Sequence, residues 1–177
     1  MKIFKDLKAC SGGSFLRAIY NIFLNSNFQM IFWFRVAHLF GRMHLSIISK
    51  IIMYFHKLCY TVDIDYRAKI AGGFRIVQGM CIVIGKDVVI EENVTVYQGV
   101  TLGGNGDKRK TIMGAERGQP YIHKNVKLYS GCSVFGPCEI GENSIVGAHT
   151  VVTHDVAPNM CIHSTAQNVT TEIKPTD

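Results

Sequence analysis

The sequence predicts a mainly β chain, a solenoid of stacked short strands behind a short α-helical N-terminal region. Two observations carry this. From Ile64 onward an aliphatic residue returns at every sixth position, whereas before it the apolar residues return at helical spacing. At 177 residues the chain is long enough for one well-buried domain with an appendage and too short for two full domains.

The helical part comes first, over residues 1–62. Phe32, Val36, Leu39, Phe40 and Met43, then Ile47, Ile48, Ile51, Ile52, Phe55 and Leu58, predict two amphipathic helices. Asn25 and Ser26 sit where a break or cap falls, and Ser46 starts the second helix. Such stripes read as helix or subunit packing; the other reading is a basic amphipathic surface lying on a membrane. His38, His44 and His56 read as packing residues of this part. Lys2, Lys5 and Lys8 precede no apolar run with a small-residue cleavage site, so the start does not read as a signal peptide. Arg35, Arg42, Lys50 and Lys57 break up residues 20–60 before any stretch is long enough to cross a bilayer. The expected location is cytoplasmic, extending to peripheral contact with the inner face of the membrane.

The period of six then runs through Ile64, Ile70 and Ile76, slips by two residues, and continues through Ile84, Ile90, Val96 and Leu102. It resumes at Ile122, Leu128, Val134, Ile140, Val146 and Val152. Four positions after most of these stands a small or β-branched residue, such as Ala68, Val94, Cys132 or Ser144. Each hexad supplies one short strand and one corner with its aliphatic residue inward. One hexad cannot bury that residue alone, so the coils must stack. The expected solenoid covers residues 63–177, with an extended loop at 103–121 and a tail at 158–177. The loop carries glycines and Lys108, Arg109 and Lys110, and its return at Gln119-Pro120 leads straight into the resumed repeat. Long loops on rigid scaffolds are where function concentrates.

The formal net charge of +6 points to an anionic partner without choosing among nucleic acid, membrane, acidic glycan and phosphate. The basic residues are dispersed, which argues against nucleic acid. Cys10, Cys59, Cys81, Cys132, Cys138 and Cys161 form neither a C-x-x-C pair nor a metal-ligand cluster; they fit a reducing compartment, most of them as small buried apolar residues.

The helix segment FRVAHLF, the join VDID, the hexads AKIAGGFRI and IVIGKDVVIEENVTV, the string QGVTLGG and the closing IGENSIVGAHTVV resemble serine acetyltransferases and related capsule or exopolysaccharide O-acetyltransferases of the hexapeptide-repeat superfamily. The resemblance spans about Phe32 to Val156. It implies a left-handed parallel β-helix, assembled as a homotrimer with acetyl-CoA as co-substrate in clefts between neighbouring solenoids. It places the carboxylate that orients the catalytic histidine at Asp63 and the histidine itself at Gln78. The second histidine of the acceptor pocket falls at Gln119, the basic residue before it at Gly118, and an acidic residue at Val77. Gly103 and Gly104, which open the loop, are expected among the cofactor-binding residues. Ser130 and Ala148 match the small corners beside the pantetheine, with His149 where the family has glycine and Lys174 left as a phosphate partner.

Acetyl transfer to a hydroxyl needs a proton acceptor and donors for the developing oxyanion. An amide holds a hydroxyl by hydrogen bonding but does not carry its proton away, so the family's histidine mechanism is excluded at Gln78. His123 and His149 are the candidate replacement bases. The absent charges at Val77 and Gly118 argue against a zwitterionic acceptor, since buried unpaired charge is costly, and the C-terminal Lys174-Pro175-Thr176-Asp177 lacks the hydrophobic anchor of enzymes that bind a sulfhydrylase. The expectation is therefore an O-acetyltransferase acting on a sugar or polysaccharide hydroxyl. A catalytically silent trimer is the alternative, and serine O-acetylation ranks last.

Overall fold

The computed structural model describes residues 2–165. Four helices lead: α1 (Lys2–Ser11), α2 (Phe15–Leu24), α3 (Ser26–Arg42) and α4 (Ser46–Tyr60). Ser26 and Ser46 open α3 and α4 as expected, and the Asn25 Oδ1 caps α3 by accepting from Asn27 N at 3.0 Å. α1 and α2 precede Phe32, where the helical spacing is first read, and so were not anticipated. The spacing also left the direction of each stripe open. The inward side of α3 is Phe28, Met30, Ile31, Phe34 and Ala37, and that of α4 includes the polar Ser49 and His56. Phe32, Leu39, Ile47, Ile51, Phe55 and Leu58 of the expected packing stripes are exposed in the chain. Spacing shows that a stripe exists, not which way it points.

Behind the helices stands the predicted mainly β unit, a parallel three-sheet β-helix. Its first face stacks β1 (Asp63–Ile64), β4 (Val83–Ile84), β7 (Thr101–Gly103), β12 (Ser133–Phe135) and β15 (Val151–Val152). The second stacks β2 (Lys69–Ile70), β5 (Val89–Ile90), β10 (Tyr121–Ile122) and β13 (Glu139–Ile140). The third stacks β3 (Arg75–Ile76), β6 (Thr95–Val96), β11 (Lys127–Leu128), β14 (Ile145–Val146) and β16 (Cys161–Ile162). The register joins the hexad residues directly, with Ile70, Ile90, Ile122 and Ile140 forming one inner column and Ile76, Val96, Leu128 and Val146 another. All of the hexad aliphatics named above are buried, as are Ala68, Val94, Cys132 and Ser144. The loop carries an antiparallel hairpin of β8 (Lys110–Ile112) and β9 (Ala115–Arg117).

Corners need backbone that most residues avoid. Asn93, Asn125, Asn143 and Asn159 stack along one edge, each with φ near +60°, a region that asparagine tolerates better than most. Their side-chain amides hydrogen-bond down the stack at 3.3, 3.0 and 2.9 Å.

A solenoid's first coil has an open edge whose backbone groups need partners. Here the helices meet them. Arg35 donates to the carbonyls of Ile70 and Ala71 at 2.6 Å each, Lys2 to Ile70 O at 2.9 Å, and Asn27 to Val77 O at 2.8 Å. Arg35 is held by Asp6, whose fully buried carboxylate accepts from it at 2.9 and 3.2 Å and from Phe74 N at 3.0 Å.

The six cysteines are all free. Cys132 and Cys138 are buried, with thiols pushed up to about 12 and about 11 by desolvation. Cys59, Cys81 and Cys161 are exposed, against the expectation that most are buried, because they fall at a helix end, a corner and an outward strand position. Among the described residues no helix is long and apolar enough to cross a membrane.

Removing one partner of a buried ion pair strands the other, so Asp6→Ala should lower the unfolding free energy by about 3–5 kcal/mol in denaturant titrations. A second outcome concerns pH. Desolvation lowers the pKa of both His38 and His56, although each ring faces a backbone carbonyl, Tyr66 O and Met30 O respectively. The unfolded chain then binds protons that the folded one resists, and stability should be full above about pH 6.5 and fall as pH drops below it. His56→Gln should flatten part of that slope.

Candidate functional site

The three-sided cross-section divides the candidate residues among three corners. Gln78 lies between β3 and β4, at the corner from third face to first, where the two-residue slip inserts extra chain. Ser130 precedes β12 and Ala148 and His149 precede β15, so all three share that edge with Gln78. Backbone bonds tie the edge coil to coil: Gly99 N to Met80 O at 2.8 Å, Gly131 N to Gln98 O at 2.9 Å, and His149 N to Ser130 O at 2.9 Å. Gly99 and Gly131 adopt φ of 70° and 68° and stack directly on each other along the corner. His149, at φ 55°, folds its ring back over Gly131, where an added Cβ would stand 2.5 Å from Nδ1. Tyr97 and Tyr129 stack at 4.9 Å just before this corner.

Gln78 itself is exposed. A residue that sequence reasoning missed fixes its turn: the Asn27 amide donates to Val77 O at 2.8 Å and accepts from Gly79 N at 2.8 Å, clamping the backbone on both sides. Nothing in the local sequence signals this, since the partners lie about fifty positions apart. Asp63 opens β1 on the neighbouring face, and its carboxylate pairs with Lys57 at 2.5 Å.

Gln119 belongs to the corner from first face to second. Its Oε1 accepts from Asp87 N at 3.0 Å, and its side chain packs where Gly85 leaves room. Gly103 and Gly104 open the loop at this same corner, with Gly104 facing Gly118 O across 3.5 Å from a built Cβ. Beside Gly118, the Arg109 guanidinium comes within 3.6 Å of where a Cβ would stand. The positive charge missing from position 118 is thus present in space, supplied from nine residues earlier in the loop.

His123 marks the third corner, after β10. Its Nε2 lies 3.0 Å from Glu139 and its Nδ1 3.5 Å from Glu91. Glu91 also accepts from the Tyr121 hydroxyl at 2.7 Å, and desolvation followed by that bond pushes the phenol up to about 12. Both imidazole nitrogens face carboxylates, so the ring is engaged on both sides at its own corner. The single chain therefore brings Gln78, Ser130, Ala148 and His149 onto one edge and Gln119, Gly103 and Gly104 onto a second, and leaves His123 on the last. Lys174 lies outside the described residues.

With this geometry in place, known proteins can be compared. The family model "Bacterial transferase hexapeptide (six repeats)" matches residues 119–154. The serine acetyltransferase of Synechococcus elongatus is 34% identical over 134 residues, covering 76% of this chain and 52% of that protein. Among solved structures, soybean serine acetyltransferase complexed with serine superposes with a TM-score of 0.81 at 28% identity, covering 93% of this chain and 66% of that one. Serine acetyltransferase isoform 3 of Entamoeba histolytica, in complex with cysteine, gives a TM-score of 0.83 at 23% identity, covering 98% and 60%. The chain carries the hexapeptide repeat of bacterial transferases and is similar along its length to serine acetyltransferases. It spans about half the length of the cyanobacterial relative.

These relatives overturn the expected sugar or polysaccharide acceptor, because the proteins that match along the chain are serine acetyltransferases. The misreading has two physical sources. The charge missing at Gly118 is replaced in space by Arg109. The surplus positive charge that suggested work on a glycan lies in the helices: residues 1–60 hold eight Lys or Arg against one acidic residue, and the remainder hold eleven against twelve.

If Asn27 fixes the Gln78 turn, Asn27→Ala should cost about 1–3 kcal/mol, the penalty of leaving buried backbone groups unpaired. Hydrogen exchange at the Gly79 amide should accelerate accordingly.

Proposed function

We propose that this chain is the catalytic unit of an acetyl-CoA-dependent O-acetyltransferase whose acceptor is the hydroxyl of serine or a closely similar amino acid. The observation that carries the reading is the chain-long likeness to soybean serine acetyltransferase in its serine complex, at an identity above that of fold similarity alone. The third-to-first edge suits the pantetheine arm: Gly99 and Gly131 add no side-chain bulk to it, and Ser130 offers a hydroxyl. A homotrimer completes the site, since only a neighbouring solenoid can bring the Gln119 and Arg109 corner of one chain against the Gln78 edge of another. Arg109 would then face the acceptor carboxylate.

In the reaction the acceptor oxygen forms the ester bond as the thioester C–S bond breaks, and the hydroxyl proton ends on the CoA sulfur. Gln78 orients the hydroxyl through its amide oxygen but takes no proton. The proton then moves to solvent or to the departing thiolate, a slower route than transfer to a positioned base, which contributes roughly 10²–10⁴-fold.

Free-thiol release with L-serine and acetyl-CoA tests this. A slow wild-type rate is expected, rising by roughly 10²–10⁴-fold in kcat for Gln78→His with little change in KM. Binding of CoA without thiol release from serine, in both wild type and variant, would contradict the proposal.

A further inference from the structure

The helices leave much of their apolar surface outside the chain's own core. Within the chain they bury Asp6, Ser11, Asn21, Ser49 and His56 while exposing large apolar side chains, among them Phe15 (78%), Leu16 (79%), Phe23 (71%), Leu24 (72%) and Ile47 (72%). On α4 the exposed Ile47, Ile51, Tyr54, Phe55 and Leu58 follow helical spacing and form one outward stripe. Lys50 stands roughly a quarter turn from its centre. Trp33 joins this stripe to the other helices. It lines one apolar cleft with Ile51 and Phe55 and a second, of about 540 Å3, with Phe4, Ile22 and Phe32, so the exposed apolar residues of α1, α2, α3 and α4 meet there as one surface.

Exposed apolar area of this extent marks a binding face. Charge decides what binds it. Residues 1–60 hold eight Lys or Arg against Asp6 alone; Arg35 pairs with Asp6, Lys5 with Glu92 and Lys57 with Asp63, and Lys2 donates to Ile70 O, while Lys8, Arg17, Arg42 and Lys50 have no acidic partner among the described residues. A second copy of the same face would set like charges against each other. A phospholipid surface carrying negative charge meets both features at once: apolar side chains enter the headgroup boundary while flanking lysines and arginines meet the anionic groups. No described helix is long and apolar enough to span, so the contact is peripheral.

We propose that the α1–α4 surface around Trp33 docks onto an anionic lipid bilayer, holding the solenoid at the membrane surface. This stands independently of the transferase reading. Trp33 is the only tryptophan in the chain, so its fluorescence reports the site directly.

The test titrates the full chain with vesicles of phosphatidylcholine, with and without phosphatidylglycerol. The expected result is a blue shift of Trp33 and quenching by brominated lipid with the anionic vesicles only, weakened by salt. The double variant Ile47→Glu, Phe55→Glu changes exposed positions and should lower partitioning roughly tenfold or more. Arg17→Gln and Lys50→Gln, which touch no packing residue, should each lower it roughly fivefold. Equal binding to neutral vesicles, or no response to anionic ones at low salt, overturns the proposal. So does a sedimentation mass showing paired assemblies that shield Trp33 before lipid is added and that the double variant dissociates, because the face then belongs to a second copy.

Discussion

Everything in the solenoid follows from one constraint: each short strand must turn its aliphatic residue inward, in register with the residue one coil away. The columns of Ile70, Ile90, Ile122 and Ile140, and of Ile76, Val96, Leu128 and Val146, are that constraint made visible. Once these columns are fixed, the residues between them have no choice but to form corners, and the corners recur along three straight edges. The asparagine stack at one edge and the paired glycines at another are local answers to the same demand for left-handed backbone.

The edges separate the candidate residues of a single chain. Gln78 shares an edge with Gly99 and Gly131, while Gln119 and Arg109 stand at a different corner. What this chain offers a hydroxyl at Gln78 is a hydrogen bond rather than a proton acceptor, and His123, enclosed by Glu91 and Glu139, is not oriented to replace one. The helices serve this architecture from the other end. Arg35, Lys2 and Asn27 satisfy carbonyls that the first coil would otherwise leave open, and Asn27 in doing so sets the turn that carries Gln78.

The solenoid was legible because its signal repeats: Ile, Leu and Val at a period of six admit one inward direction and little else. The family resemblance was legible from contiguous strings such as VTLGG. The helices were read less well. Their apolar residues show spacing without direction, so which side of α3 and α4 meets the rest of the chain was not readable. The acceptor was misread for a related reason. Residues at fixed positions were compared one by one, whereas Arg109 reaches the space beside Gly118 from another part of the loop, a contact that only folding creates. Asn27 escaped notice in the same way, since its role depends on a turn far along the chain.

The account stands or falls on where the thioester end of the co-substrate lies. A crystal structure with CoA and serine bound tests this most directly. It should show the pantetheine arm running along Gly99, Ser130 and Gly131, with the CoA sulfur and the serine hydroxyl beside the Gln78 amide. Pantetheine lying along the asparagine edge, or a sulfur placed next to His123 and away from Gln78, would contradict it.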